Sequence, residues 1–277
     1  MMDHTLERIA SLGAGLPAVC RLGLATRGNT NLSADDVEYA IERGVNYLNW
    51  CGHPDALSCA VTRLGARRKQ VVLAAQFEAR SAGDAERELA SLLEELKTDS
   101  IDVLTLYYVE SDNEWNQIVA PGGAWDYLAE QRRAGRVERI GLTSHQRVLA
   151  AQWAQSGKLD LLMIRYNAAH RGAEREVFPM AQQRQIPVVT FTGLRWKALL
   201  AGTADDPPGF VAPSAVDCYR FCLSQPAVSV ALMAPGNRAE MEADLKLLDD
   251  WRGLDPAERE RLAAHGDRVK KYAGAFW

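Results

Sequence analysis

The sequence contains no C-x-x-C pair, and its 5 cysteines are an odd number at irregular spacing. That argues against a disulfide framework and against a zinc ribbon, and free thiols in a reducing cytoplasm are expected. No apolar run approaches the roughly 20 residues needed to span a membrane. The opening MMDHTLERIASLGAGLPAVC lacks a positive cluster followed by an apolar stretch, so a secretory leader is not expected. No charge of one sign dominates: 32 basic and 36 acidic residues leave −4 at pH 7, too little to favour nucleic acid or an acidic membrane surface. A Gly-rich turn after the first strand, the usual mark of an open doubly wound sheet, is missing too.

Short apolar runs are present in a regular series: Cys20–Thr26, Val45–Trp50, Val71–Ala75, Ile101–Tyr108, Arg139–His145, Leu159–Asn167, Ile186–Leu194 and Ala227–Gly236. Near-continuous apolar runs are read as strands buried on both faces. Helical patterns separate them. After the first, Ser33 caps, Asp36 takes the capping-box position, Val37, Ala40 and Ile41 form the buried stripe, and Gly44 stops the helix. Further helical segments are expected around Glu86–Leu96 and Trp125–Arg133. Eight strands in strict alternation with helices predict an α/β fold, a closed (β/α)8 TIM barrel. No linker or composition break divides the chain, so residues 1–277 are expected to form a single domain. The prolines and glycines of AGTADDPPGFVAP (201–213) predict a mobile flap. Asp255 with Pro256 predicts an additional C-terminal helix over Asp255–Ala273.

Several segments carry a resemblance. RLGLAT, AIERGVNYLNW, LKTDSIDVLTLY, GRVERIGLTSH and RYNAAHRGAE are similar, in order and spacing, to successive segments of the aldo-keto reductase superfamily. The resemblance covers nearly the whole chain. It implies the barrel, a small-molecule substrate, and carbonyl reduction with a nicotinamide cofactor, NADP(H) or NAD(H). Members of that family use a tyrosine as proton donor, a lysine that lowers the tyrosine's pKa, an aspartate paired with the lysine, and a histidine that orients the carbonyl. On this sequence the aspartate falls on Asn49, the lysine on Gln76 and the histidine on Tyr107. The tyrosine falls on Pro54 or, with a one-residue slip, on His53. Asp-to-Asn and Lys-to-Gln exchange an ion pair for two neutral amides able to satisfy each other's hydrogen bonds. The cation that would depress a phenol's pKa is lost.

For the cofactor, the resemblance places Ser144 and His145 at the nicotinamide amide and Phe191 on the nicotinamide ring, with Leu194 close by. Met163 replaces a glutamine. Gly236 and the following helix N-terminus suit a phosphate, and Arg238 is positioned to reach a 2′-phosphate. Glu240 and Asp244 oppose that, since two acids repel a phosphorylated ribose.

The loop CGHPD offers Cys51, His53 and Asp55, but their spacing matches no metal signature, and no metal is expected. His53 with Asp55 is read instead as a general base with its orienting carboxylate, against the alternative of a surface histidine at a loop tip. Alternation along a strand points Tyr107 and Tyr108 opposite ways, one inward and one toward the helices, and the family resemblance implies that Tyr107 is the inward one. Arg165 requires an acidic partner or an anionic ligand. His170, Arg171, Arg195 and Trp196 are candidates for the substrate rim, and Cys59, Cys218 and Cys222 for core filling. These residues suggest an NAD(P)H-dependent oxidoreductase acting on a small carbonyl or imine compound, with Tyr107, His53, Asn49 and Gln76 as a rebuilt acid–base set. A non-redox isomerase or lyase at the same mouth, and a non-catalytic ligand-binding regulator, stay open.

Overall fold

The computed structural model describes residues 5–26 and 31–272. A two-stranded antiparallel hairpin comes first, β1 (Ile9–Ala10) and β2 (Val19–Cys20). Eight parallel strands follow: β3 (Leu22–Ala25), β4 (Tyr47–Trp50), β5 (Val72–Phe77), β6 (Ile101–Leu106), β7 (Val137–Ser144), β8 (Leu161–Arg165), β9 (Val188–Phe191) and β10 (Val228–Met233). Each pairs with the next, and β10 pairs back onto β3, so the barrel is closed. All eight expected strands are present, most of them shorter than the apolar runs that foretold them.

Helices ring the barrel. α1 (Ala34–Glu42), α2 (Ala56–Arg63), α3 (Ala82–Leu96), α4 (Asp112–Val119) and α5 (Ala124–Arg133) cover the first half. α6 (Arg147–Ala154), α7 (Ala173–Glu176), α8 (Phe178–Arg184), α9 (Ala215–Leu223) and α10 (Arg238–Leu245) cover the second, and α11 (Pro256–Tyr272) is the added C-terminal helix. Ala273, where that helix was expected to end, lies outside the described residues. The capping box at α1 forms as the sequence implies: Ser33 Oγ accepts from Asp36 N, while Asp36 accepts from Ser33 N.

Two apolar layers result. The outer one lies between strands and helices. The inner one fills the barrel with Tyr47, Val72, Ala74, Val103, Leu161, Val189 and Val230. Leu12 and Val19 of the hairpin segment join this inner cluster, and Arg139, near the start of β7, donates to the carbonyls of Leu12 and Ala14. The hairpin therefore closes the N-terminal end of the barrel. The interior is narrow: a Cβ at Gly23 would sit 2.9 Å from Val230 and 3.1 Å from Tyr47. The opposite end, where the strands run out into longer loops, is where barrels of this kind carry their sites.

α11 lies against the loop after β8. A Cβ on Gly266 would overlap the Ala168 carbonyl, so only glycine allows that approach. Arg171 grips the same helix, with both guanidinium contacts to Asp267 at 2.9 Å and a further bond to Ala263 O at 3.0 Å. Arg171 thus docks α11, in contrast to the rim role considered for it. The loop 201–213, expected to be a mobile flap, has no helix or strand but is tied to α11. Asp206 accepts from Arg268 at 2.6 Å, and the Phe210 ring packs 4.7 Å from His265. Cys218 and Cys222 are buried as expected, whereas Cys59 is exposed because it falls on the outer face of α2.

Candidate active site

At the C-terminal ends of the strands a cavity of about 480 Å³ opens, within the range of small-molecule sites. One part of it is walled by the strand ends: Thr26 after β3, Asn49 on β4, Gln76 on β5, Tyr107 after β6, Thr143 on β7, Met163 on β8 and Phe191 on β9. The other part runs outward between α9 and α10, past Leu194, Lys197, Ala215, Tyr219, Gly236, Glu240 and Asp244. A second cavity, about 590 Å³, lies between the loop 207–213 and α11, on residues away from the strand ends.

Asn49, Gln76 and Tyr107 therefore share one cavity wall, as their strand positions imply. The expected mutual satisfaction of the two amides is not seen at Asn49: its Oδ1 is buried without a hydrogen-bond partner. Thr26 Oγ1 and Thr143 Oγ1 are in the same condition, and both residues line the cavity. Two hydroxyls and one amide oxygen buried without partners beside the cavity are a costly arrangement in a protein interior. Turned outward by a side-chain rotation, they would suit a ligand that brings its own donors.

His53 is placed differently from expectation. Its side chain is exposed and does not line the cavity; only its backbone carbonyl is engaged, accepting Trp50 Nε1–H at 2.7 Å. Asp55 is not its orienting carboxylate. It is the N-cap of α2, and its Oδ1 accepts from Leu57 N at 2.8 Å and Ser58 N at 3.0 Å. The spacing Asp55-x-x-Ser58 was legible as a capping box. His53→Ala is accordingly expected to leave dinucleotide affinity within twofold of wild type, measured by fluorescence titration. A tenfold loss would return this imidazole to the site.

Tyr108 also departs from expectation. It lines the cavity rather than facing the helices. β6 ends at Leu106, and Tyr108 has φ +43°, so strand alternation does not reach it. Its ring lies 4.0 Å from that of Tyr107 and stacks on His145 at 4.5 Å. Burial pushes the His145 imidazole below its usual pKa, the Glu110 carboxylate pulls it up, and Arg165 and Arg147 push it down. His145 Nδ1 lies 3.3 Å from Glu110, whose Oε1 also accepts His145 N–H.

The two residues assigned to the nicotinamide amide sit one place too far along the chain. Ser144 Oγ accepts from Gln146 N at 2.9 Å and is buried away from the cavity; Thr143 has the inward place. The two-residue period from Gly141, which packs against Leu161 in the inner layer, points to Thr143. Phe191, Leu194 and Gly236 lie where expected, on the cavity wall. Arg238 does not. Its guanidinium bonds Asp36 at 3.1 Å and Glu242 at 2.7 Å and lies 3.7 Å over the Tyr39 ring, outside the cavity lining.

At the outer end, Glu240 accepts from Gly236 N at 2.9 Å, from Asn237 Nδ2 at 3.1 Å and from Lys197 Nζ at 2.5 Å. The Lys197 contact and the Gly236 N–H hold its carboxyl below the usual range. Asp244 is 2% exposed and accepts Tyr219 O–H at 3.1 Å. Burial pushes its pKa up to about 7, with Tyr219 opposing and Glu240 adding to the rise. Lys197 and Tyr219 are members of the site that periodicity did not single out.

Beside the mouth, Arg165 at the end of β8 is desolvated, pushed further down by Arg147 and held up by Tyr108 and Glu110. Arg195 is 4% exposed, and burial with Arg165 nearby lowers its pKa to about 10; its guanidinium lies 5.3 Å from the centre of the Trp196 ring. Burial and these cations bring His170 down to about 3. Among the described residues no group of three or more His, Cys, Asp or Glu is placed to hold a metal ion, and no helix is long and apolar enough to cross a membrane.

A closed parallel barrel, a bottom hairpin and a mouth cavity extended between two outer helices together define a small-molecule site on a TIM-barrel scaffold. The sequence pattern of the aldo/keto reductase family matches residues 21–217, and the chain belongs to that family. No curated protein matches it by sequence. Among solved structures it is similar to aldo-keto reductase AKR11C1 from Bacillus halodurans, in apo and holo forms. The TM-score is 0.74 at 17% identity, over 93% of this chain and 95% of that one. It is also similar to an aldo/keto reductase from Klebsiella pneumoniae solved with NADP and acetate, with TM-score 0.73 at 17% identity over 96% of both chains.

Proposed function

We propose that this barrel is an NAD(P)H-dependent oxidoreductase that reduces a small carbonyl or imine compound with an altered acid–base set. The observation that carries the reading is the single cavity joining Asn49, Gln76 and Tyr107 at the strand ends to Gly236 and the start of α10. Family membership and the NADP bound by the Klebsiella structure support it. The residues present fit a nicotinamide dinucleotide. The unpartnered Thr26, Asn49 and Thr143 oxygens belong to residues of the wall and, on a small side-chain rotation, would accept from amide and hydroxyl donors, and Phe191 offers an aromatic face at the same wall. Such a cofactor supplies the hydride when bound.

The chain's own residues do the rest. Tyr107 O–H donates to the substrate oxygen or nitrogen and yields its proton as negative charge develops there. Gln76 Nε2 and Asn49 Nδ2 hold that heteroatom by neutral hydrogen bonds. No lysine stands at position 76, so the family's cation-assisted lowering of the phenol's pKa is absent. Tyr108, His145 and Met163 narrow the mouth and keep water from the reacting centre.

A screen of small aldehydes, ketones and imines with NADH and NADPH tests this. The expected result is dinucleotide oxidation that depends on both substrate and protein. Dinucleotide binding without turnover of any compound would make the barrel a ligand-binding protein instead.

A further inference from the structure

Resting on that reading of the cavity, we infer that Glu240 makes this chain select against a phosphorylated ribose, so that its dinucleotide is NAD(H). An anion entering the outer end of the cavity meets donors at Gly236 N–H, at the Asn237 amide and at the Lys197 ammonium. All three are already bound by one carboxylate, that of Glu240. The chain thus carries its own anion in the place where a phosphate would find its hydrogen bonds.

Behind Glu240, one helical turn further along α10, Asp244 lines the same cavity. A phosphate here would have to displace the Glu240 carboxylate from three partners and would then face that charge beside the buried Asp244 carboxyl. The remaining nearby cation does not help: the Arg238 guanidinium is committed to Asp36 and Glu242 on the far side of the helix. Free ribose hydroxyls, in contrast, are donors, and a carboxylate ringed by donors still has lone pairs to accept from them. Glu240 therefore favours the unphosphorylated sugar as well as opposing the phosphorylated one. The nicotinamide end of the ligand is the same in both cases, since the two dinucleotides differ only in the ribose phosphate.

The experiment is a pair of fluorescence titrations, NADH and NADPH, on wild type, Glu240→Gln and Lys197→Met at low ionic strength. Wild type is expected to bind NADPH at least ~10-fold more weakly than NADH, a gap that narrows with added salt as the repulsion is screened. Glu240→Gln frees Lys197 and Gly236 N–H and removes the charged acceptor for the ribose hydroxyls, and should tighten NADPH about tenfold while NADH weakens severalfold, so that the preference for NADH is lost. Lys197→Met removes the one compensating cation and should widen the wild-type gap. A wild type that binds NADPH as tightly as NADH, or a Glu240→Gln variant with an unchanged ratio, overturns the inference while leaving the oxidoreductase reading intact. Failure of both dinucleotides to bind wild type would remove that reading, and the inference with it.

Discussion

Tyr107→Phe is expected to lower turnover by about 10²–10⁴-fold, the contribution of a positioned proton donor, while dinucleotide affinity stays within twofold. The backbone at this position is fixed from several sides. Tyr107 N donates to Phe77 O at 2.8 Å, prolonging the β5–β6 pairing by one residue. Arg80 donates to Tyr107 O at 2.7 Å and is itself 3.5 Å from Glu114. Phenylalanine keeps the ring contact with Tyr108, so the fold should not register the change. Loss of a transition-state proton donation reduces kcat and kcat/KM together and leaves KM nearly unchanged. Tyr108→Phe should cost less than tenfold, since that ring is held by stacking on His145 and the proposed donor is Tyr107. The kinetic constants of the two variants check this directly. A larger loss for Tyr108→Phe would transfer the donor role one residue along, and a full rate in Tyr107→Phe would end it.

How much of this was readable in the sequence depended on the range of the interaction concerned. The eight strands were legible because each is buried on both faces and so leaves an unbroken apolar run. The cap of α1 was legible because Ser33 and Asp36 are neighbours. The cavity wall at Asn49 and Gln76 followed from the family resemblance, which set both residues at strand ends. What failed did so at the strand termini. Tyr108 was assigned outward by alternation once the family resemblance had set Tyr107 inward, but the chain turns left-handed there and swings the ring back to the mouth. Ser144 was chosen over Thr143 by one residue, and one residue reverses the face of a strand. His53 and Asp55 looked like a catalytic pair because both titrate, whereas Asp55 is used by the backbone of α2. The Lys197–Glu240 contact joins residues 43 apart through the packing of the β9 loop on α10, and no local pattern encodes it.

The second large effect is on stability. Asp244→Asn should raise the melting temperature by roughly 5–10 °C at pH 8 and change it little at pH 4. The buried carboxyl has its pKa raised to about 7, so the native state holds this proton more tightly than the unfolded chain does. Its contribution is then complete below about pH 4 and is lost as pH rises toward 7. Above that, keeping the group ionised inside the protein amounts to roughly 4 kcal/mol. The groups facing it are Tyr219 from α9, Glu240 from its own helix and Lys197 from the β9 loop. Only Lys197 is a cation, and it is already paired with Glu240. Asparagine can still accept the Tyr219 hydroxyl and carries no charge at any pH. Melting curves from pH 4 to 8 on wild type and variant should converge at the acid end. Parallel curves, with no pH dependence of the difference, would show that Asp244 titrates normally.

The central claim is that the mouth cavity of this barrel holds a nicotinamide dinucleotide, and titration calorimetry of wild type with NADH and with NADPH tests it most directly. The contacts expected at Phe191 and Gly236, with Thr143 at the wall in place of Ser144, set against those altered at Met163, Glu240 and Asp244, predict saturable binding with Kd on the order of micromolar, ~−8 kcal/mol. No heat with either dinucleotide up to millimolar concentration would contradict the account.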